Sequence, residues 1–280
     1  MRNRWVYENL SAARVAPAGL VDRVQLGYRR QLVPRASPLW RESQASLKLD
    51  TTLTPAYVTL GPTIAVQPLT VVRVSASYQW VNYFGNFGNL QSYTTPLAGH
   101  SSAARTAAQK AGLSYATTGH QINLASMLQG RYGPAIVRAE LNMRWVALGL
   151  RPGDRVHFDQ YVDTIIPDHG FTAVMDADGL WELEGGWLLG ARYSLVAPLF
   201  QAKHYNLGEV RPPRGVAIFR LGPAVLYRLF QRPGAAFDEP SLFAIAQWHL
   251  RHPYRTGEEV PAAIPTVMAG FMFKGDLVTQ

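Results

Sequence analysis

Residues 135–147 read Ala-Ile-Val-Arg-Ala-Glu-Leu-Asn-Met-Arg-Trp-Val-Ala. At a period of two, Ala135, Val137, Ala139, Leu141, Met143, Trp145 and Ala147 fall on one face. Ile136, Arg138, Glu140, Asn142, Arg144 and Val146 fall on the other. A period of 3.6 would mix the two sets, so this stretch is an alternating strand. The preceding segment mirrors it, with Ile122, Leu124, Ser126 and Leu128 against Gln121, Asn123, Ala125, Met127, Gln129 and Arg131. Tyr132-Gly133-Pro134 between them is a turn signal, and the two segments form a hairpin.

The same alternation recurs over 20–32, 43–53, 56–67, 70–83, 119–131, 170–183, 187–199, 216–230, 241–252 and 266–277. These runs exceed the roughly 5–6 residues of an ordinary strand and match the about 9–11 needed to cross a bilayer at a tilt. With 135–147 they number eleven. An even count needs one more, and 4–13 (Arg-Trp-Val-Tyr-Glu-Asn-Leu-Ser-Ala-Ala) is the candidate, giving twelve strands. Ten strands, or an N-terminal segment inside the lumen, are the alternatives. Pro62 and Pro223, each in Leu-Gly-Pro, sit mid-strand where proline donates no ladder hydrogen bond. Bulges are expected there.

Composition narrows the class. The chain has 280 residues, 48% of them hydrophobic and 16% charged, no cysteine, and a formal charge of +8. An aromatic content of 11% excludes disorder, and the absence of cysteine excludes disulfide scaffolds and thiolate metal sites. No apolar run approaches the ~20 residues of a membrane helix. Of the 27 basic residues all but Lys48, Lys110, Lys203 and Lys274 are Arg, scattered singly along the chain. A nucleic-acid binder gathers its cations in a run or on one face, so no nucleic-acid partner is expected.

The apolar faces end in aromatics: Tyr28, Tyr78, Trp80, Trp145, Trp181, Trp187, Tyr193, Tyr227, Trp248, Phe271 and Phe273. Such rings favour the headgroup level of a bilayer. Segment 84–118 is too long for a hairpin turn, and its AARTAAQKAG can form a short helix. Taken as the largest extracellular loop, it places 148–169, 200–215 and 253–265 on the same side. The short turns near 132–134 and 184–186 fall on the opposite, periplasmic side, the asymmetry of a transmembrane barrel. Residues 156–164 (Val-His-Phe-Asp-Gln-Tyr-Val-Asp-Thr) alternate weakly and are expected to extend a hairpin above the membrane.

Over essentially its full length the chain resembles a bacterial outer-membrane β-barrel protein. The hairpins INLASMLQGRYGPAIVRAELNMRW (122–145) and MDADGLWELEGGWLLGARYSL (175–195) carry the resemblance. It implies one all-β domain over 1–280, a transmembrane up-and-down antiparallel barrel in the outer membrane, with the lipid bilayer and lipopolysaccharide as surroundings. Such barrels commonly finish on an aromatic residue, whereas this chain runs past Phe271 and Phe273 to Val278-Thr279-Gln280. The opening MRNRWVYENL holds no apolar segment of the kind an export signal needs.

Alternation assigns Arg23, Arg73, Arg131, Arg138, Arg144, Arg192, Arg220, Arg228, Arg251 and Lys274 to the lumen. The acids Glu140, Asp176, Asp178, Glu182 and Asp276 share it. One reading is a pore or binding barrel for small anionic solutes, handled chiefly by Arg138, Arg144, Arg192 and Arg220. The other is a structural or adhesive barrel working through loops 84–118 and 148–169, its interior sealed by Arg–carboxylate networks, since barrels near eight strands are filled and open channels are typical near 16–18. Asp176 and Asp178 open like a calcium loop, but its twelfth position would be Trp187 rather than Glu.

No cofactor, metal or catalytic residue is assigned. His157, Asp159, Asp163, Asp168 and His169 cluster in 148–169. A rim enzyme acting on lipid or peptide would use His157, Asp159 and His169. His100-Ser101-Ser102 is the nearest approach to a barrel-lipase arrangement. His249, Arg251, His252 and Arg255 form a basic group suited to lipopolysaccharide phosphates.

Overall fold

The computed structural model describes residues 3–33, 37–210 and 217–279. In chain order the strands are β1 (Asn3–Val15), β2 (Gly19–Gln31), β3 (Gln44–Leu53), β4 (Tyr57–Leu69), β5 (Val72–Phe84), β6 (Ser92–Tyr93), β7 (Ala116–Tyr132) and β8 (Ala135–Leu148). They continue as β9 (Val156–Asp159), β10 (Thr164–Pro167), β11 (Gly170–Glu182), β12 (Trp187–Pro198), β13 (Ile218–Arg228), β14 (Asp238–Arg251) and β15 (Thr266–Thr279). Twelve of them close an antiparallel barrel in which every neighbour is the next barrel strand along the chain. The remaining three, β6, β9 and β10, form a separate small sheet.

The expected 4–13 strand is β1, and it closes the barrel on β15 with Val15 opposite Val267 and Glu8 opposite Lys274. Twelve strands replace the ten-strand and lumenal-segment alternatives. The first residue of the expected 216–230 strand lies outside the described residues.

Outward positions carry exposed apolar side chains all round the wall: Leu26, Leu49, Ile64, Val74, Leu124, Leu128, Val137, Leu189, Leu221 and Leu250. A soluble monomer rarely exposes a continuous apolar band; here it is the face that meets lipid. Aromatic rings bracket the band. Trp5 on Tyr28 and Trp187 on Tyr227 mark the end that carries both chain termini, at 5.8 and 4.5 Å between centroids. Trp80, Trp145, Phe171 and Trp248 lie toward the opposite end, the loop end.

Neither proline produces the expected bulge. Leu60 faces Trp80 and Thr63 faces Ser77 on an unbroken register across Pro62. Leu221 faces Trp248 and Ala224 faces Ile245 across Pro223. The preceding glycine explains this. A Cβ on Gly61 would lie 2.0 Å from the Tyr78 carbonyl oxygen, and one on Gly222 would lie 1.8 Å from that of Ala246. Each Gly-Pro pair therefore lets the neighbouring strand press in where proline has removed a donor, with the ring turned outward. The register shifts instead between Phe219 and Arg220 and between Val66 and Leu69.

Connection lengths follow the expected asymmetry from β5 onward. The loop end carries 85–115, 149–169, 199–217 and 252–265, and the other end the turns at 133–134 and 183–186 and the 229–237 connection. Before β5 the pattern reverses. The loop end has only the turns 16–18 and 54–56, while 32–43 at the other end is longer. The long loops need room, and they find it inside the barrel. Val81, Tyr83, Val146, Leu148, Val196 and Ile218 face inward at the loop end and pack against Leu90, Val162 and Ile166 of the loops. The expected hairpin at 156–164 thus exists as β9 and β10, but it folds into the lumen rather than above the membrane. Its two apolar faces are the reason: Val156, Phe158, Ile165 and Ile166 are all buried, which no solvent-exposed hairpin permits.

Candidate functional site

The inserted hairpin turns through Asp159-Gln160-Tyr161-Val162-Asp163. Asp159 Oδ1 accepts from the backbone N–H of Tyr161 and Val162 at 2.8 and 3.2 Å, a local turn that an aspartate side chain favours. Asp163 adopts φ +60° to complete it.

Three arginines fasten this turn to the wall and to a neighbouring loop. Arg144 of β8 donates to Asp159 Oδ2 at 2.7 Å. Arg14 of β1 donates to the carbonyls of Tyr161 and Gln160 at 2.7 and 2.5 Å. Arg255, from the 252–265 loop, grips the Asp163 carboxylate through two nitrogens. His252 Nε2 adds a hydrogen bond to the Asp163 carbonyl at 3.0 Å. At the base of the hairpin, Asp168 Oδ1 accepts from the Leu148 N–H at 2.8 Å.

Burial alone would raise both aspartates. Hydrogen bonds from His252 and Arg255 outweigh it at Asp163, and the Arg144 charge outweighs it at Asp159, so both carboxyls sit below their ordinary range. His157, fully enclosed, goes the other way for a base. Burial pushes its imidazole down to about 4 despite Asp159 and Asp168 nearby.

The loop-end lid is completed by α1 (Ser102–Lys110). Ser101 caps it, and Glu259 accepts from the N–H groups of Ser102 and Ala103 at 2.7 and 2.8 Å. A carboxylate at a helix N-terminus satisfies donors that lack intrahelical partners. The Arg105 guanidinium then lies 4.0 Å over the Phe158 ring, joining helix to hairpin.

Beneath the hairpin the lumen is open enough to leave Tyr161, at the hairpin tip, 52% exposed and the Arg138 side chain 43% exposed. Most of the expected lumenal charges meet there as ion pairs. Asp178 accepts from both Arg138 and Arg192, at 2.7 and 2.6 Å. Arg131 and Arg228 share Glu182 at 2.5 and 3.2 Å toward the terminal end, and Arg228 also reaches Glu239 at 3.0 Å. Asp176 accepts from the Ser194 hydroxyl. Arg73 and Glu140 have no ion-pair partner among the described residues, and Arg220 has neither ion pair nor hydrogen bond there. Of the four arginines expected to handle anions, three are therefore neutralised in place, because alternation brings carboxylates to the same face. Arg220 is not.

Several candidates dissolve on inspection of their geometry. The ring nitrogens of His157 have no hydrogen-bond partner, Asp159 turns to Arg144, and the His169 ring bonds Asp168 at 2.5 Å. His157, Asp159 and His169 thus form no relay. Ser101 is engaged as a helix cap and the His100 ring bonds the Ala98 carbonyl at 3.1 Å, so no lipase-like set assembles. Asp178 is filled by two guanidiniums and has no room for calcium. His249, His252 and Arg255 are 6%, 5% and 6% exposed. They point inward to the hairpin rather than out to lipopolysaccharide: His249 continues the buried inward row of Ile245 and Gln247, and His252 and Arg255 bond Asp163. The sequence missed Arg14, Tyr161 and Asp163 as wall-to-hairpin contacts. The one signal available was the doubly apolar 156–167 segment.

No protein-family model matches the chain, and no curated protein sequence matches it. Three solved barrels align over nearly its whole length. The NanC porin is 6% identical over 97% of this chain and all of its own, at a TM-score of 0.42. The translocator domain of the autotransporter NalP from Neisseria meningitidis is 8% identical over 99% of this chain and 89% of its own, at 0.41. The Acinetobacter baumannii outer membrane protein Omp33 is 10% identical over 99% of both, at 0.39.

Proposed function

We propose that the protein is an outer-membrane barrel, loop end outward, whose lumen admits small anionic solutes when the inserted hairpin moves. The carrying observation is the pairing of a closed loop end with an arginine-lined lumen, in which Glu140 is a facing acid without an ion pair among the described residues. Arg14, Arg144 and Arg255 hold the 159–163 turn across the channel, and Arg220 and Arg73 stand below without carboxylate partners. A guanidinium stays charged at every physiological pH, so the open lumen would carry a permanent preference for anions.

Planar-bilayer recording of the wild type beside an Asp159→Asn/Asp163→Asn variant tests this. The wild type should show small or rare openings. The variant should open persistently, with a reversal potential in a KCl gradient that reports chloride preference. Cation preference, or silence in both, overturns the proposal.

A further inference from the structure

We propose a compact-oxyanion site between Arg220 and His249, at the tip of the inserted hairpin. The inference deepens the anion-conduit reading and rests on it for the route by which the ligand arrives.

Strand register makes the two residues direct neighbours. Arg220 of β13 and His249 of β14 are opposite each other immediately after the bulge at Phe219, and both face the lumen. Side chains so paired have Cβ atoms about 4.5–5.5 Å apart. Neither is satisfied. Both ring nitrogens of His249 are buried without a hydrogen-bond partner, and so is Arg220 Nε. Buried polar groups are nearly always paired, and leaving donors unmade costs free energy that a ligand recovers.

The surroundings fix the sign of that ligand. Asp163, grouped with His249, is already in use, gripped by Arg255 and approached by His252, and Asp176, two strands from Arg220, accepts from the intervening Ser194 hydroxyl. Tyr161 and Arg14 are the other groups whose charge or dipole Arg220 senses. What remains free is donors: the Arg220 guanidinium and an imidazole N–H. A phosphate or carboxylate group supplies the missing acceptors, and arginine matches both geometrically.

A metal ion is the competing occupant, since ligand atoms of Asp163, His249 and His252 lie within 4.8 Å of one another. The hydrogen bonds argue against it. His252 Nδ1 accepts from the Tyr254 N–H at 3.0 Å, so the proton is on Nε2, which donates to the Asp163 carbonyl. His252 therefore has no lone pair to offer, and a guanidinium already occupies Asp163. A transition metal would find one free imidazole where it needs three or four ligands.

Calorimetric titration of the detergent-solubilised full-length barrel with inorganic phosphate, with acetate and with zinc chloride tests the site. Phosphate or acetate should bind, and whichever is tighter identifies the solute class. Arg220→Gln and His249→Ala should each weaken that binding on the order of 10- to 100-fold, and His249→Gln, which keeps an N–H donor, should recover part of it. A heat-modifiability gel shift confirms that each variant barrel is closed. Anion binding indifferent to both substitutions, no anion binding by the wild type, or zinc binding lost in His249→Ala without anion binding overturns the site. Because this titration needs no current, it separates from the conductance test: a barrel that binds phosphate yet never conducts keeps the site and loses the conduit.

Discussion

Arg144 Nη2 lies 2.7 Å from Asp159 Oδ2, a guanidinium on the barrel wall holding a carboxylate at the turn of the hairpin that crosses the lumen. Both side chains are nearly enclosed, at 12% and 6% exposure. Removing one partner of such a pair strands the other charge, which costs about 3–5 kcal/mol, whereas replacing both by apolar groups is often neutral. Arg144→Ala is therefore expected to release the hairpin, and Arg144→Met/Asp159→Leu to keep it seated. Hydrogen exchange over 156–167 reads the difference. Equal protection in both variants removes the pair from the seating of the hairpin.

The hairpin should also loosen in acid. Burial holds the His157 imidazole at about 4, while a released hairpin returns it to its ordinary 6.5. The released state therefore takes up the proton first. Seating is at full strength above about 6.5 and weakens as pH falls toward 4, by about 3 kcal/mol in total. The depressed carboxyls of Asp159 and Asp163 add a second loss, present above the ordinary carboxylate range and forfeited below it. Hydrogen exchange of β9 and β10 from pH 7.5 to 4.5 measures the first step. His157→Phe, which removes the titrating group, should flatten it; an unchanged slope in that variant assigns the pH effect elsewhere.

Period-two alternation was enough to place the barrel strands, since each has one face in lipid and one in the lumen, and that contrast is written residue by residue, as in Arg138–Glu140–Asn142–Arg144. It also placed Arg138, Arg144, Arg192 and Arg220 on one face with Glu140, Asp176 and Asp178, whereas Arg251, expected in the lumen, pairs with Phe219 on the face of Leu221. It could not say which would meet. Arg138 and Arg192 converge on Asp178 because β8, β11 and β12 are adjacent in a particular register, and register is a property of strand pairs rather than of one strand. The pairing of Arg220 with His249 lies on the register that also pairs Leu221 with Trp248 and Ala224 with Ile245, which neither strand's sequence states alone. The hairpin's descent into the lumen was half legible: Ile165-Ile166 on a strand with no lipid-facing side signals burial, but not where.

The glycines of the two Leu-Gly-Pro tripeptides are expected to be intolerant of any side chain. A Cβ at Gly222 meets the Ala246 carbonyl at 1.8 Å, and at Gly61 that of Tyr78 at 2.0 Å. Backbone on the neighbouring strand cannot rotate away as a side chain would. Overpacking of this kind typically costs about 1–3 kcal/mol and more where the wall cannot yield. Gly222→Ala should lower the urea midpoint of the refolded barrel or prevent closure altogether. Gly179, which has open space around its Cβ position, provides the contrast: Gly179→Ala should fold with a midpoint near wild type. Equal midpoints for the two variants would show that the strands separate at Gly222 at little cost.

The membrane reading itself is open to a single-residue test on the outer wall. Leu124 sits midway along β7, faces outward, is 46% exposed, and pairs across the strand with Met143. In water an exposed leucine changed to arginine leaves stability nearly untouched. At the bilayer midplane the same change costs about 2–4 kcal/mol, falling toward about 0–1 near the interfaces. Asn123, one residue away, faces the lumen and donates to the Ser77 hydroxyl. Leu124→Arg should therefore destabilise the barrel refolded in lipid vesicles by the larger amount, and Leu20→Arg, close to the start of β2 at the loop end, by much less. Urea titration in vesicles measures both. A depth-independent cost, or none, means that the apolar band does not face lipid, and the barrel would then have to cover it against protein instead.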